Sequence, residues 1–379
     1  MIPLPKLPNW LRPVVTVALL AGVAPALATD PLVSAEQPGI PDEVLGKDLP
    51  SEGRLGNVLA VPIPTSDPTI GTGLIGVTAY FWDQTEAQQA VQPPSVTALG
   101  GMYTDSESWA AVLGQTLYWA EDRWRLKTGI ATINLNLPLL GINLARLPVR
   151  LDWEIDGEIV FGELSRAFAR NWYGGVAARY LNLAQTFSVV IASGDFALPL
   201  RFEAASMGPV LVRDSRDSTT YPRAGNYLRA GGLYTRKSGD DEARYWSLDL
   251  SFSSYHALHE NLVVAWRAEW CERQDGVPLW DACRVGLRGF PATDYLGRSS
   301  QVAEIETRWQ VSPRWGLVAF GGVGQVRNSL AVLEDSDPIP SIGIGLRFLV
   351  QQEQGINLRL DYAKSESQDA VYFFVGEAF

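Results

Sequence analysis

Two histidines, two cysteines and no G-x-S-x-G turn leave this 379-residue sequence little with which to run a reaction. His256 and His259 fall in the run His256-Ala257-Leu258-His259-Glu260. Their spacing would suit two metal ligands on a helix face, but the flanking residues alternate as strands and no further ligands cluster nearby. Gly71-Thr72-Gly73-Leu74-Ile75-Gly76 matches G-x-G-x-x-G, a fingerprint that binds dinucleotides only between a strand and a helix. Here Pro68 precedes it and Val77-Thr78-Ala79-Tyr80-Phe81-Trp82 continues as strand, so the glycines serve curvature or close backbone approach. No catalytic residue, metal or cofactor is expected. Cys271 and Cys283 form an even pair and, in an exported chain, predict a disulfide closing a loop of about a dozen residues.

Export itself is written at the start. Lys6 and Arg12 supply a positive region, Val14 to Val23 a short apolar core, and Ala26-Leu27-Ala28 a small-x-small cleavage site. That core is about ten residues, half of what a spanning helix needs. Residues 1–28 are thus read as a signal peptide, 29–68 as a periplasmic extension rich in Pro, Gly and acids, and 69–379 as the folded domain. The net charge of −11 grows more negative when Lys6 and Arg12 are removed, which argues against a nucleic-acid partner.

No other stretch is long and apolar enough for a membrane helix, yet 46% of residues are hydrophobic, with 13 Trp, 13 Tyr, 13 Phe and 35 Gly. A β-barrel reconciles these facts, because only every second residue of a strand meets lipid. Period-two alternation is explicit in several segments. Val149, Leu151, Trp153 and Ile155 oppose Arg150, Asp152, Glu154 and Asp156. Trp246, Leu248, Leu250 and Phe252 oppose Ser247, Asp249, Ser251 and Ser253. Leu262 to Trp270 and Ile356 to Tyr362 alternate likewise, and Arg123, Arg125 and Lys127 oppose Trp124, Leu126 and Ile130. A soluble sandwich alternates too; long strands with Trp and Tyr on the apolar face and charges on the other favour a lipid-facing exterior around a polar lumen.

The fold predicted is all-β: a transmembrane antiparallel β-barrel of about sixteen strands. The strands fall near 70–82, 95–104, 108–118, 122–133, 144–155, 158–168, 172–183, 205–213, 225–236, 244–255, 261–271, 299–310, 315–326, 340–349, 355–363 and 370–379. With the last strand ending in the periplasm, the long connections 83–94, 184–204, 272–298 and 327–339 are expected outside the cell. The tight ones (104–107, 168–171, 256–260, 311–314, 350–354) are expected mostly in the periplasm.

Three stretches then occur in order. Arg213-Asp214-Ser215-Arg216-Asp217 with Tyr221-Pro222-Arg223-Ala224-Gly225 joins the eighth and ninth strands. Gly286-Leu287-Arg288-Gly289-Phe290 lies in the longest outer loop. Gly355 to Ala363 (GINLRLDYA) and Phe373 to Phe379 (FFVGEAF) form the last hairpin. From Ile70 to Phe379 this set resembles the BamA/TamA family, the bacterial surface antigen type of outer-membrane protein. The resemblance implies a sixteen-stranded barrel whose sixth outer loop folds back into the lumen. Arg288, flanked by Gly289 and Phe290, would be that loop's anchoring arginine, and Glu306-Thr307-Arg308 resembles the E-x-R of the twelfth strand. Alternation places Glu304, Glu306 and Arg308 in the lumen, with Ile305 and Trp309 toward lipid. A shielded guanidinium needs a carboxylate, and Glu306 is the expected partner of Arg288. Asp214, Arg216, Asp217, Pro222 and Gly225 would form a periplasmic turn motif. Phe373, Gly376 and the terminal Phe379 resemble the strand signal by which barrels are captured for insertion.

Two departures accompany the likeness. Where the family has F-x-D-x-G on the thirteenth strand, this sequence has Phe320-Gly321-Gly322-Val323-Gly324, with Gly322 at the acidic position. Residues 29–68 are too short for the POTRA domains that receive clients in the family's assembly proteins, so a barrel lacking them is expected. The expected function is insertion or translocation of protein or lipid across the bacterial outer membrane. The expected partners are outer-membrane lipid and lipopolysaccharide, the barrel-assembly machinery during insertion, and a client protein or separate periplasmic subunit. The Cys271–Cys283 disulfide would then limit the swing of the loop that carries Arg288. Two other functions are open: a passive pore whose selectivity is set by Arg123, Arg125, Lys127, Asp152, Glu154, Arg267 and Glu269, and a surface-exposed structural or adhesive barrel.

Overall fold

The computed structural model describes residues 57–89, 91–139, 150–191, 194–218, 221–330, 337–351, 356–366 and 369–379. Residues 1–28, expected to be a signal peptide, and most of the 29–68 stretch expected to be an extension lie outside them. Strands dominate: β1 Val58–Asp67, β2 Gly71–Phe81, β3 Val96–Thr104, β4 Trp109–Trp119, β5 Trp124–Leu139, β6 Arg150–Ala169, β7 Trp172–Ile191, β8 Gly194–Asp214, β9 Ala224–Gly239 and β10 Ala243–His259 come first. They continue with β11 Leu262–Arg273, a two-residue β12 Cys283–Arg284, β13 Leu296–Gln310, β14 Trp315–Ser329, β15 Ile339–Gln351, β16 Ile356–Ser365 and β17 Asp369–Val375. Each strand but β12 pairs antiparallel with its chain neighbours, β11 pairing β13 directly, and β1 meets β17 to close a sixteen-stranded barrel. Closure satisfies every backbone edge except where the seam thins, which is what a barrel in hydrocarbon requires.

The strand total matches the sequence reading, but by two compensating differences. β1 was expected to be extension; Pro62 and Pro64 break its pattern, and a proline-bearing strand belongs at a sheet edge. Conversely, the described part of 144–155 and all of 158–168 belong to one strand, β6. No turn falls at Gly157. Its φ of +147° brings the backbone against β7, where a Cβ would sit 2.2 Å from the Asn182 carbonyl oxygen. The 184–204 connection is likewise strand, β7 running on to Ile191 and β8 starting at Gly194. Counting β1 in also moves 83–94 to the C-terminal end of the barrel and 104–107 to the opposite end, the reverse of the expectation. From β7 onward the expected ends hold, and 272–298 stands opposite the C-terminus.

The outer surface carries an apolar belt: Leu99, Ile130, Leu164, Val176, Met207, Ile305, Leu317, Ile342, Ile344 and Leu360 are all exposed. Aromatic rings edge it. Trp119 stacks on Trp124, and Trp315 contacts Phe348, at the C-terminal end; Tyr234 contacts Trp246 at the other. This is the exterior of a transmembrane barrel.

One region inverts. β6, β7 and β8 run about twenty residues and rise past the belt at the end opposite the C-terminus. Along β6 the outward positions change from Val160, Leu164 and Phe168 to Glu154, Asp156 and Glu158, all exposed. The inward ones change from Glu163 and Ser165 to Trp153, Ile155 and Ile159, all buried. Above the belt water is outside, so the acids face out and the apolar side chains form a dry core with Leu181, Leu183, Phe202 and Trp280. Where its side chains are described, 152–156 is two-faced as expected, but its acids do not face the lumen: Glu154 cannot line a pore.

Candidate functional site: the plug loop and its charged seat

Twenty-two residues join β11 to β13, and their course is set by what each can bury. The loop first makes a 3-10 turn, Leu279–Asp281, against the tall wall. Trp280 stacks on Phe202 of β8, centroids 5.2 Å apart and 12° from parallel. Asp281 is wholly buried and takes hydrogen bonds from Arg179 of β7 and Tyr245 of β10, each at 2.6 Å. Arg273 of β11 donates to the Asp281 carbonyl at 2.8 Å and lies 3.8 Å from its carboxylate. Next, Cys283 bonds Cys271 in the expected disulfide, Cα atoms 5.7 Å apart, and β12 pairs with the start of β13.

Val285 and Leu287 then descend over β14. Glycines make room: a Cβ at Gly324 would lie 2.3 Å from Val285, and one at Gly322 2.7 Å from Leu287. An aspartate at 322 would therefore collide with the loop.

Arg288 is the deepest point and wholly buried. Its Nη2 donates to Glu306 at 2.6 Å, as expected, and the guanidinium also binds Glu304, with Nε 2.8 Å from Oε1. Its Nη1 donates to Asp361 of β16 at 2.7 Å, and its plane lies 3.4 Å from the Phe320 ring centroid. That ring in turn rests over Gly343, where a Cβ would sit 2.2 Å from Cζ. Asp361 supplies from β16 the acid that β14 lacks, so the departure at Gly322 relocates the charge and does not delete it. Gly289, at φ +105°, donates its N–H to Tyr372 at 2.7 Å, and its carbonyl accepts from Ser365 at 2.8 Å. Phe290 packs with Val285, Leu287, Val302, Val326 and Ile339.

A second tier backs the first. Arg267 joins Glu304 (2.9 Å) to the Gly286 carbonyl (2.6 Å), holding the loop backbone. Arg308 donates to Glu306 at 2.7 Å. Arg347 bridges Asp361 at 2.5 Å and Glu377 at 2.8 Å. Bidentate and shared pairs of this sort fix geometry in a low-dielectric interior.

The C-terminal residues depart from their expected strand. β17 ends at Val375, Gly376 turns at φ +97°, and the chain enters the lumen. Glu377 accepts from Arg347 and Asn357; Phe379 accepts from Arg308 through its carbonyl at 2.8 Å and lies against Tyr255. Phe373 stays on β17, at the seam.

The turn residues are brought together at the C-terminal end, as a structural brace. Asp214 takes both Nε and Nη2 of Arg216 at 3.0 Å. Asp217 receives the N–H groups of Arg223 and Ala224, Pro222 is buried, and Gly225 at φ +99° passes 2.2 Å (at its would-be Cβ) from the Ser215 carbonyl. Among the described residues no group of three His, Cys, Asp or Glu side chains could hold a metal.

The seam completes the picture. β7 and β8 pair without interruption from Trp172 opposite Arg213 to Ile191 opposite Gly194; β1 and β17 share the single pair Ser66 opposite Phe373. A sixteen-stranded barrel plugged by its own arginine-anchored loop and nearly open at one seam has the BamA-type barrel fold. Among solved structures it is similar to BamA from Haemophilus ducreyi lacking POTRA domains 1–3, with a TM-score of 0.56 at 13% identity over 84% of this chain and 69% of that one. It is similar also to CdiB from Acinetobacter baumannii (TM-score 0.53, 14% identity, 84% of this chain and 59% of that one). A further neighbour is CdiB from Escherichia coli (0.53, 12%, 86% and 63%). The chain thus spans about three fifths of the two CdiB chains. No protein-family model and no curated protein matches the sequence.

Proposed function

We propose that this chain is an integral protein of the bacterial outer membrane that inserts or translocates protein or lipid at the β1–β17 seam, with its lumen held shut by the Arg288 loop. The observation that carries the reading is the contrast between a seam of one residue pair and a lumen whose plug is bound on two walls: the yielding part of this barrel is its side. Strands β1 and β17 leave backbone donors and acceptors for an incoming strand to pair with. The partners proposed are outer-membrane lipid and lipopolysaccharide, the assembly machinery that inserts the barrel, and a client or separate periplasmic subunit; no catalytic reaction is assigned. Two observations speak against the passive pore. Arg267 is committed to Glu304 and Arg125 to Asp122, and Glu154 faces outward. Depleting the protein and taking a census of outer-membrane components tests the proposal: specific proteins or lipids should disappear from the membrane. An unchanged census together with a large, steady single-channel conductance from the intact protein would replace it with the porin.

A further inference from the structure

The outer face of the tall wall carries opposite charges at its two ends. Away from the C-terminus its outward residues include Glu154, Asp156 and Glu158 on β6 and Glu203 on β8, all exposed. At the C-terminal end of the same strands the charged residues are arginines. Arg166 follows Leu164 on the lipid face of β6, and its guanidinium lies 5.3 Å from the ring of Trp124, its register partner on β5. Arg213 closes β8 and lies 5.7 Å from the ring of Trp172, its register partner on β7. Arg123 and Arg170 are exposed in the turns β4–β5 and β6–β7. None of the four forms an ion pair with a described residue. The inward acids of this corner are taken: Asp122 binds Arg125, Glu163 binds Arg229 and Asp214 binds Arg216. Among the described residues of the turns that end β4 to β9, the exposed acids are Glu121 and Asp217, and Asp217 accepts backbone N–H groups of its own turn.

Contact with an indole holds a guanidinium in place without using its N–H donors, so Arg166 and Arg213 keep theirs for a ligand. The surface beside them is open. Gly174 is the β7 residue between Arg166 and Leu211, and a Cβ there would meet nothing closer than Phe168 at 3.5 Å. Trp172 meets Phe168 across the same notch, and Trp119 stacks on Trp124 at its edge. Aromatic rings of this kind sit at the level of lipid headgroups. The exposed Leu164, Val176 and Met207 continue the same three strands toward the middle of the belt.

We propose that this corner of β5 to β8 binds an anionic phospholipid of the phosphatidylglycerol class, in the leaflet at the C-terminal end of the barrel. The phosphodiester accepts from the Arg166 and Arg213 forks, Arg123 and Arg170 add attraction from the turns, and the acyl chains lie along the belt. The acids at the other end of the wall repel the same headgroup, so the wall sorts lipid by leaflet. The site rests on the outer-membrane reading of the barrel and not on passage at the seam. A chain that stays monodisperse without detergent would sink that reading itself; a detergent-bound barrel with no lipid preference sinks only this site.

The test uses the full chain purified in a non-ionic detergent and titrated with dioleoyl-phosphatidylglycerol or dioleoyl-phosphatidylcholine, with bound lipid read by native mass spectrometry. The wild-type barrel should retain the glycerol lipid in preference to the choline one. Arg166→Gln with Arg213→Gln should weaken that retention about thirtyfold, at about fivefold for each charge removed. Arg166→Lys with Arg213→Lys, which keeps the charge and loses the fork, should weaken it about fivefold, and decides alone should the first pair not fold. Heat-modifiable migration on gels reports folding. Arg236→Gln with Arg244→Gln, an exposed register pair at the opposite end of the barrel, removes equal charge and should leave retention unchanged. No preference in the wild type, equal retention in the folded corner variants, or an equal loss in the Arg236/Arg244 control overturns the proposal. So does lipopolysaccharide bound more tightly than phosphatidylglycerol through the same arginines, which would put this end in the other leaflet.

Discussion

The plug loop is held at two places built on different principles. At Arg288 the seat is dense with charge: three carboxylates from β13 and β16, a Phe320 face, and further arginines behind. At Asp281 it is sparse, with one carboxylate, a phenol, two arginines and a tryptophan stacked on Phe202. One lies on the wall leading to the seam, the other against β7 and β8 of the tall wall and the nearby β10 and β11. The loop is therefore a brace spanning the lumen, and the two ends should fail differently.

Arg288→Ala should have the largest effect. It strands Glu304, Glu306 and Asp361 in a buried site, and losing one partner of such a cluster costs about 3–5 kcal/mol. Thermal unfolding followed by gel migration should shift downward, and single-channel recordings should show openings absent from the wild type. A stable, silent Arg288→Ala barrel would mean that the Asp281 anchor alone holds the plug. Asp281→Asn should come second, at about 2–3 kcal/mol, because the amide keeps a partner for Tyr245 while Arg179 and Arg273 lose their counter-charge. In the double variant the two losses should add within about 0.5 kcal/mol if the anchors act independently; a large coupling would show that the loop releases as one unit.

How far these anchors were readable beforehand follows the same contrast. Arg288 and Glu306 stood in motifs with fixed spacing, and alternation put Glu306 inside. Asp361 was visible as a polar strand residue, but its role depends on the register that sets β16 against β15 and β17, which no local pattern encodes. Asp281 had no signal at all: it lies in an aperiodic loop, and its partners are scattered over β7, β10 and β11. Gly322 looked like a lost acid until Leu287 was seen to need the space. Alternation shows that a strand has two faces without saying which meets lipid, which is why Glu154 and Trp153 were assigned the wrong way round. The prolines of β1 and the glycine within β6 misled for a local reason, since both break a propensity that tertiary pairing overrides.

The smallest effect expected is a pH dependence at the loop's return. Burial near Tyr295 pushes the Asp294 carboxyl from 3.8 up to about 6, so its charged form is disfavoured in the folded loop. That penalty is absent below about pH 4, where the group is protonated folded or unfolded, and grows until the pH passes about 6. The loop should be held more firmly at pH 4 than at pH 7, as read by proteolysis of the loop in intact barrels. Asp294→Asn should flatten that difference; an unchanged profile would move the effect to another group.

Strand lengths differ around the wall, and the bilayer must answer them. β17 has seven residues, where β8 has 21. At about 3.3 Å per residue and a tilt near 40°, seven residues climb only about 18 Å, against an apolar band of about 25 Å in barrels of this kind. Lipid next to β17 has to thin or tilt to cover so short a span, at a modest free-energy cost for each ångström of mismatch. The membrane would then be most easily deformed beside the strand pair that is itself most easily parted.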